Sequence, residues 1–230
     1  MSVEIPKRYI EDAIAKYKSD LKGRIKKKKP VHHKHLITIS RQEGSGGRII
    51  AEKLAQKLNI SLWNKEILEV IADQSGWGYQ AQMFEALDES AQNIIDTFVS
   101  DFLGKAAKDS YFHLLPKAIY VIAQNSAVIL GRGAHLILPE AFSVHIKASF
   151  NNRLQNMIKY ENMDTEAART KLLKKDRERE NFAREFGRKL CIQDRPYNFD
   201  LVISTNRYSI DDAVSIILHA YELYRNKALN

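Results

Sequence analysis

Arg41, Gly44, Ser45, Gly46, Gly47 and Arg48 fall in one short stretch of the sequence HLITISRQEGSGGRIIAEKLAQKL, and what such a set can do is hold phosphate. An apolar run breaks into glycines and resumes at helical spacing from Ile49, which reads as strand, turn, helix. Glycines at that corner leave backbone N–H groups uncovered at the positive end of a helix, where an anion can approach without meeting a Cβ. The corner departs from the usual P-loop spacing, which asks for a lysine and then a hydroxyl residue after the last glycine. With Arg41 in the first-glycine slot, Gly47 takes the lysine slot, and Arg48 and Ile49 follow. A register one residue later puts Arg48 in the lysine slot itself. Either way a guanidinium stays close, and its fork can grip phosphate oxygens in pairs. A tight strand-to-helix turn with no ligand is the other reading of the same residues.

Two further groups carry cations where an α/β sheet gathers its ligands, beyond the carboxyl ends of strands. In VILGRGAHLIL, Gly131, Arg132 and Gly133 follow an apolar run directly, so Arg132 is exposed to whatever fills the crevice; the alternative is an ordinary turn with a solvated arginine. In KKDRERENFAREFGRK, Arg177, Arg179, Arg184 and Arg188 lie on a charged segment. Phosphoryl transfer needs positive charge that closes over the migrating group and excludes water, which a lid of arginines supplies. Taken alone, the segment reads equally as a solvated helix laced with i to i+4 pairs.

The elements that must position these groups alternate as in a doubly wound sheet. Strands are expected over residues 36–40, 61–63, 127–130, 143–147 and 201–204. Helices are expected over 48–58, 65–74, throughout 79–125 and over 210–224, with one or two more within 165–188. That is a five-stranded parallel sheet in an α/β/α three-layer sandwich, with no internal repeat. In the long helical stretch Met83, Leu87, Ile94, Ile95, Leu114, Ile119 and Ile122 are the expected buried faces.

The chain has 230 residues, enough for one α/β domain with an appendage. Its net charge of +8 belongs almost wholly to residues 1–35, where eleven Lys or Arg face four acidic residues. There Ile10, Ile14, Tyr17, Leu21 and Ile25 make the apolar stripe of a helix, followed by the basic run Lys26–Lys29, Pro30 and three histidines. This N-terminal helix and linker could meet nucleic acid or an acidic membrane surface, or be a solvated tail that packs its stripe on the domain or on a second subunit of a homo-oligomer. His32, His33 and His35 read as linker rather than metal ligands. The lone Cys191 excludes an internal disulfide framework and a cysteine zinc cluster. No stretch has the apolar length of a membrane span or a signal core, so a soluble, cytoplasmic protein is expected.

Order and spacing together resemble the cytidylate kinase-like family, a nucleoside monophosphate kinase branch of the P-loop NTPase fold. The likeness runs from about Leu36 to Tyr224 through ITISRQEGSGGR, LWNKEIL, VILGRGA, KDRERENFAREFG and FDLVISTNRYSIDDAV. It implies a domain over 36–230 with helical acceptor and lid segments, the lid at about 164–190. It implies that Gly44 to Arg48 hold the donor phosphates of ATP, with Mg²⁺ arriving through the nucleotide and its protein ligands unassigned. Arg132 and Arg153 would bind the acceptor monophosphate, although Gly133 stands where cytidylate kinases proper carry an Asp. Arg177 and Arg179, with Asp176 and Arg184, would belong to the lid. Asn64 stands where the branch tends to have an acid; Lys65 and Glu66 are crevice candidates. The implied activity is ATP-dependent phosphoryl transfer to a nucleoside monophosphate or a related small phosphate acceptor, with Arg48, Arg177 and Arg179 as catalytic cations. The lost lysine keeps a second reading open, a regulatory domain that binds a nucleotide or phosphate and transfers nothing.

Overall fold

Short apolar runs bounded by Gly, Asn and Pro become strands, and longer amphipathic runs become the helices between them. The computed structural model describes residues 35–64, 111–189 and 198–227, with Glu11 and Ala15. The expected N-terminal helix and most of its stripe, the helix over 65–74, the stretch 79–110 and Cys191 lie outside the described residues.

The strands are β1 (Leu36–Arg41), β2 (Ser61–Trp63), β3 (Ala127–Leu130), β4 (Phe142–Lys147) and β5 (Leu201–Ser204). The helices are α1 (Gly47–Leu58), α2 (Tyr111–Ile122), α3 (Ala134–Ile137), α4 (Phe150–Glu161), α5 (Thr165–Lys189) and α6 (Ile210–Lys227). The five strands form one sheet in the order β2-β3-β1-β4-β5, and the pairs β1·β4, β2·β3 and β4·β5 are parallel. The expected five-stranded parallel α/β plan is therefore present. Strand β3 is a continuous apolar run, as suits a parallel strand covered on both faces, and all four of its residues are buried; in β1 the first four residues are buried too, the polar Thr38 among them.

The chain divides into two compact units, Met1–Leu36 with Ile60–Ile129, and Ile37–Asn59 with Leu130–Asn230. In the first, Ser61 pairs with Ala127 and Trp63 with Ile129, while α2 buries Leu114, Leu115, Ala118, Ile119 and Ile122. In the second, Ile37 of β1 lies opposite Phe142 and Arg41 opposite Ile146 of β4. Helix α1 turns Ile50, Ala51 and Leu54 inward, and α6 turns Ala213, Val214 and Ile217. A capping box starts α6: Ser209 N–H donates to Asp212 Oδ2 (3.1 Å) and Asp212 N–H to Ser209 Oγ (3.1 Å).

Helices α3 and α4 lie outside the sequence expectation, whereas the lid segment keeps to the one or two helices expected there. Helix α4 is absent from the sequence-based plan, yet Ser149 caps it by accepting from Asn152 N–H. Met157 of α4 joins Ala168 and Leu172 of α5 in a buried cluster flanked by Phe150, Leu154, Ile158 and Met163. The charged lid segment is a single helix of 25 residues, about 37 Å long at about 1.5 Å per residue. Among the described residues no helix is long and apolar enough to cross a membrane.

Within β4, His145 stacks on Phe199 with ring centroids 4.9 Å apart. Burial, with the charge of Lys147, pushes its pKa below the ordinary 6.5. A histidine with a lower pKa folded than unfolded binds its proton more weakly when folded, so stability falls as pH drops through and below about 6.5. The urea midpoint is expected to be lower at ~pH 5.5 than at ~pH 7.5, with a smaller difference in His145→Gln. An undiminished difference would place the sensitivity elsewhere.

Candidate functional site

The glycine corner is held by its carbonyls. Gln42 O accepts from Ser45 Oγ (2.7 Å), Glu43 O from Arg153 Nη1 (3.2 Å), Gly44 O from Asn156 Nδ2 (2.8 Å) and Ser45 O from Thr205 Oγ1 (3.0 Å). Ala148 N–H donates to Gln42 Oε1 (3.0 Å). Donors from α4, from the turn after β5 and from Ser45 of the corner itself thus take up the oxygens. The first amides of α1 have no acceptor inside the helix and supply its positive end. Gly44 has φ +71, and a Cβ there would stand 2.8 Å from the Arg153 carbonyl oxygen, so glycine is required by both conformation and space.

Around this corner stand the arginines. Arg41 ends β1, fixed in the sheet opposite Ile146. Its Cβ lies where a side chain on Gly47 would go (2.6 Å), and its guanidinium lies against Gly131. It therefore runs from the glycine corner to the Gly131–Arg132–Gly133 turn. Arg48 takes another direction: its Nε pairs with Glu52 Oε1 (3.0 Å) along the outer face of α1, with 71% of the side chain exposed.

Arg153 is 5% exposed and lies over the Phe150 ring, 5.6 Å from its centroid. Its Nη1 donates to Asp176 Oδ2 at 2.7 Å. Arg179 pairs with Glu43 of the corner. Burial would raise the Glu43 carboxyl, but Arg179, by charge and hydrogen bond, and the charges of Arg41 and Lys171 hold it below its ordinary value. Among the described residues, two buried donors beside the corner, Arg153 Nε and Arg179 Nη1, have no acceptor.

One face of α5 organises these contacts. Ala168, Leu172, Asp176, Arg179, Phe182 and Phe186 recur at three to four residues, so they share a stripe. Its start packs on α4, its middle meets Arg153 and Glu43, and its end meets Arg132 and Gly133. Arg177 and Arg188 are exposed, and Arg184 pairs with Glu180 (2.9 Å) on the outer side. Among the expected site residues, Arg41, Arg132, Arg153, Asp176 and Arg179 are tied to the two glycine turns or to one another, whereas Arg48, Arg177 and Arg184 face outward. Asn64 follows β2, and Lys65 and Glu66 lie outside the described residues.

Sequence reasoning overlooked Glu43, Asn156 and Phe182. Only Glu43 had a local signal, a carboxylate placed inside a loop otherwise suited to anions. Among the described residues no group of three or more His, Cys, Asp or Glu is arranged to hold a metal.

The model of the cytidylate kinase-like family matches residues 36–207. No curated protein matches the sequence. Among solved structures, an uncharacterized protein from Eubacterium ventriosum ATCC 27560 is 22% identical, with a TM-score of 0.56 over 82% of this chain and 99% of that one. That similarity is one of fold. Shikimate kinase from Acinetobacter baumannii in complex with shikimate is 14% identical, with a TM-score of 0.42 over 85% of this chain and 96% of that one.

Proposed function

Because this chain belongs to the cytidylate kinase-like family, we propose that it transfers a phosphoryl group from ATP to a nucleoside monophosphate or a related small phosphate acceptor. The observation that carries the reading is the pair of buried donors, Arg153 Nε and Arg179 Nη1, that find no acceptor among the described residues. Buried polar groups are nearly always satisfied, and donors on two guanidinium groups beside a glycine corner fit phosphate oxygens.

In this mechanism Gly44 to Arg48 receive the donor phosphates, with Arg41 as the nearby cation in place of the lysine. Arg132 and Arg153 hold the acceptor. An acceptor oxygen attacks the γ-phosphorus while its bond to the bridging oxygen breaks, and the chain forms no covalent intermediate. Positioning and charge neutralisation supply most of the rate in this chemistry. Mg²⁺ carried by the nucleotide would add to that neutralisation. The contact between Arg179 and Glu43 keeps the lid arginine close to the corner, where an incoming phosphate would compete with the carboxylate. Arg177, exposed in the present arrangement, would reach the site only through movement of α5.

A second reading, a nucleotide-binding regulatory domain without transfer, draws on Gly47 in the lysine slot and on the carboxylate of Glu43 paired with Arg179. Incubation with ATP, Mg²⁺ and a panel of nucleoside monophosphates, resolved by ion exchange, separates the two. The kinase gives acceptor-dependent ADP and a new diphosphate, reduced roughly a hundredfold in Arg41→Ala and less than about threefold in Arg48→Ala. Stabilisation by ATP with no product would select the binding domain.

A further inference from the structure

The turn that carries Arg132 has an unusual backbone. Gly131, Arg132 and Gly133 all have positive φ, at 89°, 52° and 65°. For arginine the left-handed region costs roughly 1–2 kcal/mol, so neighbouring contacts must hold the turn in place. Helix α5 supplies them. Phe186 is fully buried and touches the turn so closely that a Cβ on Gly133 would stand 2.7 Å from its Cδ1. Phe182 stacks on Phe186, with ring centroids 5.3 Å apart and planes 27° apart. The Arg132 guanidinium carbon lies over the Phe182 ring, 4.9 Å from the centroid.

From this geometry we propose that Phe182 is a positioning residue for an anionic ligand: its ring fixes the Arg132 guanidinium so that the N–H edge is presented to an oxyanion such as a phosphate monoester. A cation seated over an aromatic face is attracted by the ring quadrupole. A guanidinium keeps its five N–H donors in its own plane, so the face contact and the edge contact do not compete. The contact also reduces the freedom that a long arginine side chain would otherwise lose on binding. Because Phe182 shares its stripe with Arg179 and Asp176, the helix bonded to the glycine corner through Glu43 also sets the second anion site.

The inference rests on the proposed role of Arg132 as the acceptor cation, and its test keeps the two apart. Calorimetric titration with inorganic phosphate needs no turnover, and acceptor KM and kcat are measured in parallel on the full chain. Phe182→Leu is expected to weaken the Arg132-dependent phosphate affinity and raise acceptor KM about five- to tenfold, leaving kcat and the KM for ATP nearly unchanged. Phe182→Tyr, which retains the ring, should restore near-wild-type values and guards against misreading a folding defect. In an Arg132→Ala background Phe182→Leu should add no further loss. The proposal is overturned by wild-type protein with no Arg132-dependent phosphate binding. It is overturned equally if Phe182→Leu keeps full affinity, if Phe182→Tyr is as damaging as leucine, or if the loss persists without Arg132. Phosphate binding that depends on both Arg132 and Phe182, with no transfer to any acceptor, would support the positioning role and remove the kinase reading.

Discussion

Arg132→Ala is expected to lower kcat/KM for the acceptor by roughly a hundredfold to a thousandfold, the usual loss when one preorganised charge or donor leaves a transition-state site. Arg132 lies between two glycines on a turn pinned by Phe186, and its charge sits over Phe182. Alanine removes the charge while keeping the left-handed residue, so the fold should persist. Arg132→Gly sharpens the comparison, since it relieves the backbone while deleting the same cation. If both variants lose transfer and both melt close to the wild type, the loss belongs to the guanidinium. Transfer that survives in either variant would remove Arg132 from the acceptor site.

The second large effect is structural and falls on the corner. In Gly44→Ala the new methyl would meet the Arg153 carbonyl oxygen at 2.8 Å and the Arg153 Cβ at 3.1 Å, at a φ of +71. Backbone strain and overpacking together suggest a loss of roughly 2–4 kcal/mol, or a Tm lower by roughly 5–15 °C for a chain of this size. Because Asn156 and Arg153 bond to the carbonyls of Gly44 and Glu43, relief of the clash must shift the loop, and ATP should no longer raise the melting temperature. Gly46→Ala is the control. At φ +78 it shares the backbone strain, but its methyl would meet the Cδ1 end of the Ile210 side chain, which can rotate away, rather than a backbone carbonyl, so its effect on Tm should be smaller. Equal melting temperatures for the two variants would contradict this account.

Much of this architecture was legible because the strands obey simple patterns. The spans read for β2, β3 and β5 match the structure, since each is an apolar run between breakers. Helix α4 was passed over because Asn151, Asn152 and Asn156 dilute its apolar signal, although Phe150, Leu154, Met157 and Ile158 already had helical spacing. Helix α5 looked like one or two surface helices because Asp176 and Arg179 interrupt its apolar stripe. Those two charges face Arg153 and Glu43, partners that only the folded chain brings within reach. The glycine corner and the arginines could be listed from sequence. The outward turn of Arg48 to Glu52, the path of Arg41 to Gly131 and the ring beneath Arg132 depend on tertiary packing, which local periodicity does not encode.

Helix α5 behaves as a ruler. Its contacts with α4, Arg153, Glu43, Arg132 and Gly133 are set out along one line, and each added residue turns an α-helix by about 100° while lengthening it by about 1.5 Å. A single residue inserted between Arg179 and Phe182 would leave the first half of the line in register and swing the second half off Arg132. Substitutions along the outer side change little by comparison. Replacement is therefore expected to be tolerated on the outer side alone, whereas insertion or deletion anywhere along the line is penalised, a constraint on length that no single side chain carries.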